Sequence, residues 1–266
     1  MLDELVGAED QARRAEAGMR DLLSDAAHEL RTPLAAVRAS VETVLRTNPP
    51  RERREELLAG AVRELARSGR LVADLLDVAR LDAGSGPALD LTDVDLRSLA
   101  ERRARRLVTG EAAVTVEGES VDVRVDADRI TQVLDNLLRS AVRAAGPNGH
   151  VAVVVRSATG RAEVDVGDDG PGVPPAERER IFDRLVRLDA ARSRDGGAGL
   201  GLSIARGFAR AHGGDVVCLP AAAGARFRLS LPLGGPQAAG TDGAGTPSPA
   251  ATGTVAGSTA VQQGSR

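Results

Sequence analysis

Ser24-Asp25-Ala26-Ala27-His28-Glu29-Leu30-Arg31-Thr32-Pro33-Leu34 is the stretch from which the fold can be worked out. It sets an imidazole, a carboxylate and a hydroxyl beside a proline inside a strongly helical run. Leu23, Leu30, Leu34, Val37, Val41 and Val44 recur through it at threes, fours and sevens. That is a coiled-coil-like seam rather than the stripe of a short surface helix. The pattern predicts one long helix over 3–46, stopped by Thr47-Asn48-Pro49-Pro50. A second helix is expected over about 51–82, with Leu58, Val62, Leu65, Val72, Leu76 and Ala79 at heptad spacing. Two such helices joined by a short turn make an antiparallel hairpin. One hairpin cannot bury both seams, so a four-helix bundle built by two copies is the economical solution.

On a helix advancing about 100° per residue, His28 lies two residues from Leu30 and points away from the seam. Thr32 is one turn later on the same face. Pro33 has no N–H and its ring collides with the Glu29 carbonyl, so a kink is expected beside the histidine. Glu29 is placed to hold the imidazole Nδ1–H, which leaves Nε2 as a nucleophile. An exposed histidine beside a glutamate is usually plain surface. A zinc pair would need a second histidine where Thr32 stands. The rest of the chain has to decide.

The 266 residues suffice for one or two domains, and 42% hydrophobic with 27% charged residues is an ordinary globular composition. A net charge of −3 suggests neither a nucleic-acid groove nor a polybasic membrane surface. Lysine, tryptophan and tyrosine are absent, so the cores must be built from Leu, Val, Ile and Ala. Cys218 is the lone cysteine and reads as belonging to a reducing compartment. No apolar run approaches the ~20 residues of a membrane span, and no signal peptide opens the chain. The sequence as given therefore reads as soluble and cytoplasmic. It starts within an amphipathic pattern, Met1-Leu2-Asp3-Glu4-Leu5, as a piece of a longer protein would; membrane attachment is expected only in such a longer parent.

Ala83-Gly84-Ser85-Gly86-Pro87 is a linker by composition. Beyond it the pattern changes to mixed helix and strand. Helices are expected over Leu96 to Leu107 and Asp128 to Ala145, the latter with Ile130, Val133, Leu134, Leu137 and Leu138 inward. Val114 to Val116 and Val121 to Val125 alternate like strands, and His150 to Arg156 with Arg161 to Val166 form a further strand pair. A glycine-rich turn at 167–174 precedes a short helix around 176–187. A second glycine stretch at 196–201 opens a helix to Ala211, and Val216 to Leu219 with Arg226 to Leu231 close the domain. From Gly234 onward Gly, Ala, Thr, Ser and Pro dominate without period, which reads as a disordered tail.

Two glycine stretches carry chemistry. Asp168-Asp169-Gly170-Pro171-Gly172 follows a strand. A carboxylate at a strand end can accept from the amino group of a base, and the glycines let backbone approach it closely. Gly197-Ala198-Gly199-Leu200-Gly201-Leu202 opens a helix, so backbone N–H groups and the helix dipole face an anion. It is neither a Walker loop nor a dinucleotide fingerprint.

Together these motifs resemble a known family. His28 through Leu34 is similar, residue for residue, to the phosphoacceptor box of the sensor histidine kinases of two-component systems. The two glycine stretches resemble the glycine boxes of the GHKL ATPase fold, with Ile181-Phe182-Asp183-Arg184-Leu185 between them similar to its lid box. His212-Gly213-Gly214 and Gly224-Ala225-Arg226-Phe227 match the closing pattern, and the resemblance covers roughly 20–233. It implies an α+β chain: a linker helix over 1–20, a dimerisation and phosphotransfer hairpin over 21–83, an α/β-sandwich ATP-binding domain over 90–233 and the tail at 234–266. It implies ATP-dependent phosphorylation of His28, transfer to an aspartate of a response-regulator receiver domain, and a homodimer. Glu29 is implied as assisting base and Thr32 as the residue that positions water in the reverse, phosphatase, reaction. For the nucleotide it implies Asp168 with Gly170 and Gly172 at the adenine. Phe182, Arg192 and Arg194 belong to the lid, and Gly197, Gly199, Leu200, Gly201 and Leu202 to the phosphate loop. Asn136, Ser140 and Arg143 occupy the positions facing the phosphates, Asn136 and Ser140 also those that ligate Mg²⁺. Here the sequence departs from the pattern, because the family has a second asparagine where Ser140 stands. A hydroxyl is a poorer ligand for a hard cation. The alternative is a member acting as a regulator-binding scaffold or phosphatase with weakened kinase chemistry. A serine kinase of the anti-sigma type would share the ATP fold but lack the histidine hairpin.

Overall fold

The computed structural model describes residues 26–27, 29–82, 88–107, 112–186 and 199–236. Helix α1 covers 29–47 within these, and α2 is Arg51–Asp82. The turn between them is Asn48-Pro49-Pro50, with Asn48 in the left-handed region at φ 39°. The expected stop at 47–50 is therefore where the helix ends. Pro33 is buried, and the residues on both sides of it are helical.

The mixed region follows as β1 (Leu91–Asp95), α3 (Leu96–Leu107), β2 (Ala112–Gly118), β3 (Asp122–Asp126), α4 (Ala127–Ala145), β4 (Gly149–Ala158), β5 (Arg161–Asp168), α5 (Gly201–Ala211), β6 (Asp215–Leu219) and β7 (Arg226–Pro232). Five strands form one sheet in the order β2-β4-β5-β7-β6, parallel only at β2–β4. Strands β1 and β3 pair antiparallel as a separate ribbon. The period-2 pattern puts Val151, Val153 and Val155, then Ala162, Val164 and Val166, then Phe227, Leu229 and Leu231 on the buried face. α4 meets that face with Ile130, Val133, Leu134, Leu137, Leu138 and Ala141, all buried. Its start is fixed by Asp126, whose carboxylate accepts from the N–H groups of Asp128 and Arg129, both at 3.1 Å. α5 adds Ile204, Ala205, Phe208 and Ala209.

His212 closes α5. It is fully buried, donates Nδ1–H to the Phe208 carbonyl at 2.7 Å, and accepts the Asp126 N–H at Nε2 at 3.1 Å. Burial pushes its pKa below the ordinary value, against the Phe208 bond and the Asp126 charge. The neutral ring thus ties the end of α5 to the β3–α4 junction.

Three expectations change. Strand β1, absent from the sequence reading, is the partner of β3, while β2 pairs with β4. The helix expected over 176–187 is two short 3₁₀ turns, Pro175–Glu177 and Arg180–Phe182. The chain leaves helical geometry at Leu185 (φ 61°), whose N–H bonds the Gly199 carbonyl at 3.1 Å instead of continuing a helix. Gly234 and Gly235, assigned to the tail, belong to a turn closed by Gly235 N–H on the Pro232 carbonyl at 3.3 Å. The remaining tail, the linker 83–87 and residues 1–25 lie outside the described residues. Leu58, Val62, Leu65, Val72 and Leu76 of the α2 seam stand exposed in the single chain, as do Leu34, Val41 and Leu45. The buried residues of α2 are Ala61, Ser68, Leu71, Asp77 and Val78.

Candidate functional site

Asp168 ends β5 in a position locked by backbone: its N–H donates to the Ala225 carbonyl at 3.0 Å. One carboxylate oxygen accepts from Gly170 N–H at 3.0 Å and Ala225 N–H at 3.2 Å. The other is buried and has no partner. Burial raises this carboxyl above its ordinary range, the two N–H groups oppose that, and Asp169 adds to it. A buried acceptor left unpaired costs about 1–3 kcal/mol, so the oxygen is set for a donor that arrives with a ligand. The turn admits no side chain at its closest point. Gly224 has φ +62°, and a Cβ there would lie 1.6 Å from the Asp168 carbonyl. Gly170 and Gly172 stand close to the Ala144 and Gly224 carbonyls, at 2.5 and 2.6 Å from an added Cβ.

Asn136, Ser140 and Arg143 share one face of α4 by their four- and three-residue spacing. The Asn136 amide nitrogen is buried without a partner. Its side chain lies against the first residue of α5, 3.4 Å from where a Cβ of Gly201 would sit. That end of α5 has no capping side chain and no acid in its first turn. Such an uncapped N-terminus is able to receive an anion. Asn136 and Gly201 are thus brought together, whereas Gly199 lies against Leu185 and Val186; Leu200 is buried, and Leu202 and Ser140 are half-buried. Arg143 is exposed. Among the described residues no group of three or more His, Cys, Asp or Glu could hold a metal by itself. The donor set that exists, one amide oxygen and one hydroxyl, fits a hard cation only alongside oxygens supplied by a bound anion.

Phe182 is not poised at a surface. It is buried, meets Phe227 edge-on at 6.3 Å, and lies under the Arg206 guanidinium at 4.7 Å. In the acceptor stretch Glu29 is half-buried and Thr32 exposed. His28, Arg192, Arg194 and Gly197 lie outside the described residues. Sequence reasoning missed the Ala225 N–H, which holds Asp168 from 57 residues away. It also missed the bidentate Arg103–Asp135 pair, 2.7 and 2.6 Å, which braces α4 from α3 next to Asn136. Asp135 was readable as an acid within an apolar helix; its partner was not.

Residues 125–235 match the family described as histidine kinase-, DNA gyrase B-, and HSP90-like ATPase, and residues 18–84 match the His kinase A phospho-acceptor domain. The protein named Probable sensor histidine kinase TcrY of Mycobacterium tuberculosis is 37% identical over 89% of this chain and 50% of its own length. Signal transduction histidine-protein kinase/phosphatase MprB of Mycobacterium avium is 36% identical over 78% of this chain and 40% of its own. The chain therefore spans about half the length or less of these curated relatives. Histidine kinase ThkA, solved with response regulator protein TrrA, shares the fold (TM-score 0.64, 23% identity, 86% of this chain and 67% of that one). ShkA, solved with AMPPNP, superposes at TM-score 0.57 with 28% identity over 82% of this chain and 47% of its own. With acceptor and ATPase regions matched in the expected order, the chain belongs to the sensor histidine kinases of two-component systems.

Proposed function

We propose that this chain is a histidine kinase core that phosphorylates itself on His28 from ATP and passes the phosphoryl group to an aspartate of a response-regulator receiver domain. The observation that carries the nucleotide half is the unpartnered, buried Asp168 oxygen in a turn too tight for side chains. It suits the amino group of adenine. The N-terminus of α5 and the Asn136 amide, also unpartnered, suit the phosphates. Mg²⁺ bound with the nucleotide supplies charge neutralisation across the phosphates, and Asn136 and Ser140 are the residues that would hold it. His28 attacks in line through Nε2: the Nε2–γ-phosphorus bond forms as the γ-phosphorus bond to the bridging oxygen breaks, ADP leaves with that electron pair, and Glu29 takes the Nδ1 proton. Thr32 positions water for the reverse, phosphatase, reaction.

The same reading divides the chain into a linker over 1–20, the hairpin over 21–83, the ATP-binding domain over 90–233 and a tail. It pairs two copies through the exposed row from Leu34 to Leu76, because contiguous exposed leucines and valines at heptad spacing are what a bundle buries. No described helix is long and apolar enough to cross a membrane, and we place this core in the cytoplasm, with any membrane attachment left to a longer parent.

Incubation with γ-labelled ATP tests the assignment. Label is expected on the parent chain and absent from His28→Ala and Asp168→Ala, the latter also losing nucleotide binding. Label persisting on His28→Ala refutes the acceptor.

A further inference from the structure

Asp135 is met by more cation than it can neutralise. Arg103 of α3 already takes both of its oxygens, Nε at 2.7 Å and Nη2 at 2.6 Å, and the two side chains are only 17% and 11% exposed. A guanidinium fork on a carboxylate is a complete pair. Arg139, one turn further along α4, adds a third contact from its Nη2 to Oδ2 at 3.2 Å. This bond is single and longer, and the Arg139 side chain is 42% exposed. The trio therefore keeps one positive charge that its own acid does not cancel. The charge of Arg139 also acts on Asp74 of α2, which puts Arg139 on the side of α4 that faces the hairpin. Yet burial and Asp77 hold that carboxyl up at about 6. A guanidinium in direct contact would hold it below the ordinary range, so Asp74 is not the close partner of Arg139 either.

The place of this uncancelled charge along α4 gives it a use. Ala144 stands at the adenine turn, its carbonyl against Gly170. Asn136 stands at the start of α5, its side chain against Gly201. Eight residues, about 12 Å of helix rise, separate the two. A nucleotide whose base meets Asp168 thus runs its phosphates back along α4 toward Asn136. Arg139 is three residues from Asn136 and four from Arg143, which makes it their neighbour on the helix surface. Asn136 marks the margin of the site toward α5, and Arg139 the margin toward α2. His28 belongs to the hairpin on the reading above, so the terminal phosphoryl group leaves the site past Arg139. Opposite it, the Asn136 amide nitrogen has no partner, and α5 starts without a capping side chain or an acid in its first turn.

We propose that Arg139 is the residue that reads the γ-phosphate: its guanidinium, kept at the site margin by Asp135, meets the terminal phosphoryl of bound ATP and neutralises its oxygens while the group passes to His28. Arg139 stays protonated throughout. The γ-phosphorus exchanges the bridging oxygen for Nε2, and the electron pair of the broken bond leaves with ADP. The proposal rests on the kinase reading above. Calorimetric titration of the full chain with ADP and with AMPPNP, each with Mg²⁺, separates it from a merely bracing role, because only the analogue carries a γ-phosphate. Arg139→Gln is expected to weaken AMPPNP about tenfold and ADP by about twofold or less, the difference being that of one charge-assisted hydrogen bond. Its autophosphorylation at saturating ATP is expected to slow by about the same tenfold factor. Arg139→Lys, which keeps the charge without the fork, is expected to recover part of both. Arg102→Gln, which removes an exposed guanidinium beside Arg103, is expected to match the parent with both nucleotides. Equal losses for ADP and AMPPNP in Arg139→Gln overturn the proposal, as does unchanged AMPPNP affinity. The same loss of AMPPNP in Arg102→Gln also overturns it, since the effect is then one of overall charge. A parent that binds neither nucleotide overturns the kinase reading, and the proposal falls with it.

Discussion

Asp74 sits one helical turn before Asp77, and its carboxyl is pushed from 3.8 up to about 6, by burial first and by the Asp77 charge second, with Arg139 and Arg70 pulling it back. In the unfolded chain the same group titrates near 3.8. Between those two values the folded chain keeps a proton that the unfolded chain has lost. The contribution is therefore fully present below the unfolded value and disappears as pH climbs through about 6. At neutral pH the ionised carboxylate is a burden on the fold. The gap sets a ceiling of about 3 kcal/mol. Because the group is only half-buried and water screens it, about 1 kcal/mol is the realistic share. Asp74→Asn is neutral at every pH. It is expected to exceed the parent in stability by about 1 kcal/mol at pH 7.5 and to match it near pH 4. Urea unfolding followed by circular dichroism at the two pH values measures both differences. An advantage that is the same at both, or larger in acid, refutes the assignment of that proton to Asp74.

Two further substitutions probe the turn chemistry and the metal position. Thr159 and Gly160 join β4 to β5 with φ of 50° and 74°, a two-residue turn in which a β-branched residue is poorly suited to the first place; Thr159→Asn is expected to raise stability by about 0.5–1 kcal/mol in a thermal melt, and an unchanged or lower midpoint counts against it. Ser140→Asn restores an amide oxygen on the α4 face and is expected to raise both Mg²⁺-dependent nucleotide affinity and autophosphorylation rate; no change in either would show that the hydroxyl serves equally well.

Much of this was legible from residues alone, and the losses have physical causes. α4 and α5 announce themselves because their apolar residues recur at the helical period and their starts sit at Asp126 and a glycine run. β1 did not, because Leu91-Thr92-Asp93-Val94-Asp95 holds only two apolar residues and owes its place to pairing with β3. The segment 176–187 has helix-forming composition. Phe182 against Phe227 and Leu185 against Gly199 override that local preference. The heptad row on α2 was visible, but its second buried face was not. Ser68 and Asp77 interrupt the apolar pattern there, and Asp77 is tolerated only because Gln132 and Arg129 come to it from α4. At the site the sequence named Asp168 and the glycines, but only folding shows which oxygen is spent on Ala225 and Gly170 and which stays open.

The imidazole of His212 has a mechanical consequence. By bonding Phe208 on one side and Asp126 on the other, it pins the far end of α5 to the root of α4. α5 is then a short beam fixed at one end. Gly201 at its free end lies against Asn136, and Gly207 at mid-span carries α2 through Leu81. The eleven residues of α5 and the histidine that closes it thus meet Asn136, α2 and the β3–α4 junction at three successive points along one helix.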